Sequence, residues 1–276
     1  MSHILELSQK INEIVKFIQT KITKAPDLGI ILGSGLGEFA NEIQNPIIIP
    51  YSTIPHLPNA TAPGHAGNLI FGTIGNKYIM TLQGRLHGYE GNTPQTATLL
   101  IRAMQKLGAT SIIISCAAGG LNSRFNVGDI MLIDDHINLT GITPLTGPNL
   151  GEFGPRFPVM FDIYDKSLAK LAHTIALEQK SYLQCGVYVG VSGPQYSTRA
   201  ELKYFIDIGG SAIGMSVVHE AIMAAHSGLR IIGLAAITDL SLPYAQRHVT
   251  EQEVIDSAKL IEIRFKDLVI ELINLM

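Results

Sequence analysis

Apolar positions at Ile4, Leu7, Ile11, Ile14, Val15 and Ile18, with Glu, Lys, Gln and Asn between them, recur at helical spacing and predict an amphipathic helix laid on a larger body. Pro26 and Asp27 end that pattern. The next run, Leu28 to Leu32, has no polar position, as in a buried strand, and it leads straight into Gly33-Ser34-Gly35-Leu36-Gly37. Backbone N–H groups in such a glycine-rich turn can approach an anion closely. From Glu38 the chain runs quickly to Pro46 and Pro50. Between Pro50 and Gly67 it is rich in proline, glycine and histidine, which predicts irregular structure.

Gly67 to Leu82 reads as two strands broken near Gly75-Asn76. Thr93 to Leu107 is apolar on one helical face, and the strand Ser111–Ser115 follows, ending in a small-residue loop from Cys116 to Gly120. A strand lies within Val127–Asn138. The stretch from Thr140 to Pro158 has little periodicity, so Phe153 and Phe157 within it are expected to be buried against another subunit. Beyond it the pattern predicts a helix over Tyr164–Gln179, a strand over Gly186–Val191 and a helix to about Ile208. A strand over Ala212–Ser216, a helix over His219–Ser227 and a strand over Arg230–Ile237 come next, with a turn at Thr238-Asp239 and a last helix from Thr250. Strands alternate with helices throughout, which predicts one α/β domain over residues 1–276.

Composition narrows the function. With 46% hydrophobic and 16% charged residues, the chain has little polar residue to spare for an open surface, consistent with burial between subunits. A net charge of -3 gives no basic footprint for nucleic acid. Cys116 and Cys185 lack metal-ligand spacing, which fits a reducing cytoplasm and argues against a disulfide framework or zinc site. No apolar stretch approaches the roughly 20 residues of a membrane span, and the first residues read as an amphipathic helix instead of a signal peptide.

The candidate chemistry centres on Gln83-Gly84-Arg85-Leu86-His87-Gly88-Tyr89-Glu90-Gly91, which follows an apolar strand. Arg85 offers a planar fork of donors suited to phosphate or carboxylate, His87 a ring N–H and Tyr89 a hydroxyl. The ligand implied is a small oxyanion with hydroxyls beside it. A dinucleotide site is disfavoured, because the glycine spacing at 33–37 is short and no long helix follows.

Across nearly its whole length the chain resembles the trimeric-class purine nucleoside phosphorylases, a family that includes 5′-methylthioadenosine phosphorylases. The marks are GSGLG at 33–37, PGHAG at 63–67, QGRLHGYEG at 83–91, AAGGLN at 117–122, VGDIMLIDDHINL at 127–139, GPNL and RFP within 147–158, and GMSVV at 214–218. The resemblance implies a large mixed sheet, partly barrel-like and flanked by helices. It also implies a homotrimer with sites at subunit boundaries, no metal or organic cofactor, and phosphate as co-substrate. The implied reaction is reversible phosphorolysis of a purine nucleoside to free base and ribose 1-phosphate. Carried over by motif, Ser34, Arg85, His87, Ser216 and the backbone of Ala117 resemble the phosphate site, with His65 beside it. Tyr89 and Met215 resemble the ribose contacts, Tyr196 the aromatic residue against the base, and Phe157 the residue lent by a neighbouring subunit to cover the sugar. A non-catalytic relative would lack the phosphate donors.

The base pocket departs from the family's oxopurine pattern, where a glutamate and an asparagine stand at the positions of Ser197 and Asp239. A serine hydroxyl donates to the bare N1 of adenine, and an ionised carboxylate repels O6 while accepting from a 6-amino group. Both changes favour 6-aminopurines, adenosine or methylthioadenosine, whereas the phosphate loops follow the oxopurine enzymes; an inosine/guanosine or broad-specificity enzyme is the competing expectation. Asp239 is also the candidate to protonate N7 of the leaving base, with Arg85 and His87 completing the catalytic set. An ordinary aspartate titrates near ~3.9, so half-protonation at pH 7 requires raising it by about 3 pH units, about 4 kcal/mol, which burial can supply. His219 replaces the family's usual proline and is given no chemical role, as are His136, His173 and His226. The 5′ end of the sugar falls to Glu251 or His248.

Overall fold

The computed structural model describes residues 2–244 and 249–276, with side chains from residue 6 onward apart from residue 251. His248 and the side chain of Glu251 therefore lie outside the described residues. Helix α1 (Ser2–Gln19) lays Ile11, Ile14, Val15 and Ile18 into the core, as their spacing predicts. Strands β1 (Leu28–Leu32), β2 (Gln44–Pro50), β3 (Asn68–Ile74) and β4 (Lys77–Gln83) follow, then helices α2 (Pro94–Ala97) and α3 (Leu99–Lys106). Next come β5 (Ser111–Gly120), β6 (Ile130–Asn138), α4 (Lys166–Glu178), β7 (Leu183–Gly190) and α5 (Arg199–Asp207). The chain continues with β8 (Ala212–Gly214), α6 (Val218–His226), β9 (Arg230–Leu240) and α7 (Glu251–Leu275).

The strands form one mixed sheet in the order β2-β3-β4-β1-β5-β8-β7-β6-β9, and β9 returns to pair with β5. Strands β5, β8, β7, β6 and β9 thus close into a barrel, and β1, β4, β3 and β2 continue from it as an open wing. The apolar runs explain why helices cover both faces. In β1, Ile31 packs into the core shared with α1, α3 and α6, while Leu28, Ile30 and Leu32 face the core shared with α4 and α7. In β5, Ile112 and Ile114 divide from Ile113 in the same way. Each such side chain contributes about 1.5–3 kcal/mol by leaving water. Strands β4, β1, β5 and β9 are mutually parallel, so their C-terminal ends lie along one edge.

One strand has no counterpart in the sequence pattern, and four local expectations change. β2 is a real strand despite Pro46; it is the outermost strand, largely exposed, and its ladder with β3 is irregular between Gln44 and Ile47, where a residue lacking an N–H is tolerated. The helix over 93–107 is broken at Thr98, whose hydroxyl donates to Pro94 O (2.8 Å) and ends α2. Residues 116–120 continue β5 as a strand that pairs with both β8 and β9, so Cys116–Gly120 is no loop. Thr238 and Asp239 likewise belong to β9, where a register shift opposite Ala118/Gly119 leaves Thr238 as an extra residue. Finally, Phe153 is buried within its own chain, under the cations of Arg102 (5.4 Å) and Lys106 (5.1 Å), and needs no second subunit to cover it.

Candidate active site

Ser34, Arg85, His87, Tyr89, Ala117, Tyr196, Met215, Ser216 and Asp239 line a single cavity at the C-terminal ends of β1, β4, β5, β8 and β9. A second chamber, joined to it through Tyr196, Met215 and Asp239, adds Ser197, and a third, joined through Arg85, His87, Tyr89 and Ser216, adds Thr140, Val217, His219 and Glu220. Met215 lines all three. His65 reaches the site through hydrogen bonds to Ser34 and Arg85. Phe157 lines none of these chambers; it is 85% exposed, its ring beneath Arg156 at 5.6 Å.

Gly84 sits at φ 101°, and a Cβ there would lie 2.7 Å from that of His65. Glycine at this turn lets the 85–91 segment fold against His65. The Arg85 N–H then donates to His65 Nδ1 (2.7 Å), which places the ring proton on Nε2. Nε2–H in turn donates to Ser34 Oγ (3.0 Å). Because Ser34 accepts from His65, its own proton is free for an anion. Burial, reinforced by the neighbouring His87 and Arg85, pushes His65 down to about 3, so it serves as a neutral donor.

The Arg85 side chain is buried. Its Nε donates to Glu220 Oε1 (2.8 Å) and one terminal nitrogen to Ser115 O (2.6 Å). His87 is fixed by Glu90, whose Oε1 accepts from His87 N (2.8 Å) and from Nδ1 (2.9 Å). The other Glu90 oxygen accepts from Thr61 N, Thr61 Oγ1 and Ala62 N. Burial alone would raise Glu90, but the donors from Thr61 and His87 bring it down to about 2. Burial and Arg85 lower His87 against the pull of Glu90, leaving a neutral ring with Nδ1–H on Glu90 and a lone pair on Nε2. Tyr89 stacks on that ring, centroids 4.6 Å apart.

Ser216 is presented by a strained turn. Val217 has φ 65° and ψ −56°, and Val218 N–H donates to Ser216 O (2.7 Å), the geometry of a γ-turn that a β-branched residue adopts only under constraint. The turn sets Ser216 at the N-terminal end of α6, while Tyr188 OH accepts from Ser216 N (3.4 Å).

On β9, Asp239 Oδ2 accepts from Ser241 Oγ (2.8 Å) and Oδ1 from Thr238 Oγ1 (3.3 Å). Gly119 allows this, because a Cβ there would lie 2.2 Å from Ser241 Oγ and 3.1 Å from Asp239 Oδ2. Burial raises the Asp239 carboxyl, and the two hydroxyl donors oppose it.

Glu220 and Glu90 escaped the reading of the sequence. Glu90 stands three residues after His87, and Glu220 is a carboxylate amid the apolar run Val217, Val218, Ala221 and Ile222; each spacing was a usable signal. His219 also engages a partner, Thr140 Oγ1 at 3.0 Å.

Residues 27–274 match the family model described as Phosphorylase superfamily. Purine nucleoside phosphorylase 1 of Bacillus subtilis is 40% identical over 95% of this chain and 97% of its own. The crystal structure of Schistosoma mansoni purine nucleoside phosphorylase in complex with adenosine superposes with a TM-score of 0.92 at 35% identity, covering 96% of each chain. A crystal structure of Schistosoma mansoni purine nucleoside phosphorylase in complex with inosine gives a TM-score of 0.92 at 34% identity, covering 97% of this chain and 96% of that one.

Proposed function

The chain belongs to the phosphorylase superfamily, with purine nucleoside phosphorylases as its relatives, and from that membership we propose that it phosphorolyses purine nucleosides with a preference for a 6-amino group. Phosphate attacks C1′ of the sugar, the C1′–N9 bond breaks with its electrons passing to the base, and a proton reaches N7. The products are free purine and (deoxy)ribose 1-phosphate, and no metal or organic cofactor takes part.

Ser34, Ser216, Arg85 and the backbone of Ala117 hold the phosphate, with His65 orienting Ser34. His87, its Nδ1 proton committed to Glu90, accepts the O–H of monohydrogen phosphate in a hydrogen bond at Nε2 and so orients the nucleophile. Tyr89 and Met215 position the ribose, and Tyr196 covers the base. Phe157, Val159 and Phe161 are 85%, 79% and 84% exposed, which supports a homotrimer in which Phe157 closes the sugar subsite of the adjacent subunit.

The observation that carries the base preference is the half-buried Asp239, its carboxyl raised, lining one chamber together with Ser197. Protonated, it donates O–H to N7 and accepts from the 6-amino N–H through its carbonyl oxygen. A 6-oxopurine sets O6 against that acceptor. The competing reading is broad specificity, favoured by the Schistosoma mansoni purine nucleoside phosphorylase structures, one in complex with adenosine and another with inosine. Initial rates for adenosine, methylthioadenosine, inosine and guanosine, with and without phosphate, decide it. Phosphate-dependent cleavage led by an aminopurine is expected, and faster cleavage of inosine than of both aminopurines overturns the preference.

A further inference from the structure

The base chamber continues past Asp239 into a region lined differently from the rest of the site. Leu202, Leu240 and Leu242 line this chamber and neither of the other two, and Val191 is shared with the chamber of Thr140 and His219. Val191 and Leu202 pack on the buried cluster of Leu121, Val189, Phe205 and Ile213, so this wall is backed by fixed structure. At the mouth Arg199 is exposed, its Nη1 donating to Pro243 O (2.5 Å). Ser197, short and half-buried, leaves the apolar wall uncovered where a longer side chain would screen it.

This wall is mismatched to a plain 6-amino group. With Asp239 taking N7 and one N–H of the amine, the second N–H faces away from Asp239, and the side chains of Val191, Leu202, Leu240 and Leu242 that line the chamber offer it no acceptor. An alkyl substituent in place of that second hydrogen keeps the Asp239 contact and buries apolar surface instead. We propose that the chamber is a subsite for N6-monoalkylated adenine nucleosides, the alkyl group lying against Val191, Leu202 and Leu242. The inference rests on the aminopurine reading above. Each methylene buried there favours binding by about fourfold.

The test is phosphate-dependent cleavage by the wild-type protein of adenosine, N6-methyladenosine, N6-butyladenosine, N6,N6-dimethyladenosine, 5′-methylthioadenosine and inosine. The monoalkyl compounds are expected to equal or exceed adenosine in kcat/KM, with N6-butyladenosine above N6-methyladenosine, and the dimethyl compound, which has no N–H for Asp239, to fall below adenosine. Leu202→Phe, which fills the chamber, should lower the ratio of N6-butyladenosine to adenosine cleavage. A loss on monoalkylation, with adenosine still cleaved, overturns the subsite and leaves the aminopurine preference standing; inosine outrunning adenosine and methylthioadenosine sinks that preference instead. If Leu202→Phe depresses cleavage of 5′-methylthioadenosine and spares N6-butyladenosine, the wall serves the sugar's 5′ end and the proposal fails.

Discussion

Arg85 and Glu220 stand 135 positions apart in sequence and form a buried ion pair, Nε to Oε1 at 2.8 Å. The pair fixes the guanidinium before any ligand arrives, since Ser115 O holds its other side. Glu220→Gln should therefore raise the KM for phosphate about tenfold with a smaller change in kcat. Glu220→Ala, which strands a buried cation, should cost about 3–5 kcal/mol of stability. Steady-state kinetics and denaturant titration of both variants check this.

Removing the arginine itself has a more direct effect. Loss of a charge-assisted contact costs about 1.5–3 kcal/mol, so Arg85→Ala should lower kcat/KM for phosphate by roughly 10- to 150-fold. Phosphate saturation curves at fixed nucleoside measure it. An unchanged KM would remove Arg85 from the phosphate site.

Glu90 links stability to pH. Its carboxyl is lowered to about 2 in the folded chain, below its unfolded value, so its contribution is present above that unfolded value and is lost as pH falls toward 2. The melting-temperature difference between wild type and Glu90→Gln should be largest near neutrality and shrink between pH 5 and 3. A constant difference would mean that Glu90 does not titrate with folding.

Asp239→Asn tests the base contact. The amide should move preference toward 6-oxopurines and lower adenosine turnover. Burial raises the Asp239 carboxyl, so its proton is retained to higher pH and adenosine cleavage should decline as pH rises through that titration. The variant should lose this alkaline limb. Unchanged specificity together with an unchanged pH profile would take Asp239 out of the chemistry.

Two phenylalanines four residues apart should behave as opposites. Phe153 is 4% exposed beneath Arg102 and Lys106, and Phe153→Ala should cost about 3–5 kcal/mol of stability. Phe157→Ala, at an exposed position, should leave melting of the single chain unchanged and raise the KM for nucleoside if it serves a neighbour's site. Calorimetry and nucleoside saturation curves separate the two.

That pair also shows where the sequence stops being legible. Runs such as Leu28–Leu32 announce buried strands because every position is apolar, and motif order brought Ser34, Arg85, His87, Ser216 and Asp239 to one place on paper before the fold did so in space. In the 140–158 stretch no period marks which phenylalanine faces inward, because burial of Phe153 depends on cations from α3 that are remote in sequence. β2 was hidden because Pro46 argues against a strand and only the outermost position, with its irregular ladder, tolerates it. Glu220 was hidden for a related reason. Its worth lies in a partner on β4's far end, and a carboxylate in the first turn of a helix is otherwise unremarked.

Thr238 is one residue more than the ladder between β9 and β5 requires, since Ile237 stands opposite Ala118 and Asp239 opposite Gly119. Removing it would close the ladder with Asp239 still opposite Gly119, so the carboxylate would keep its place. What would go is the Thr238 hydroxyl, one of the two donors that oppose the rise of the Asp239 carboxyl, and the irregularity in β9 therefore tunes the acid without positioning it.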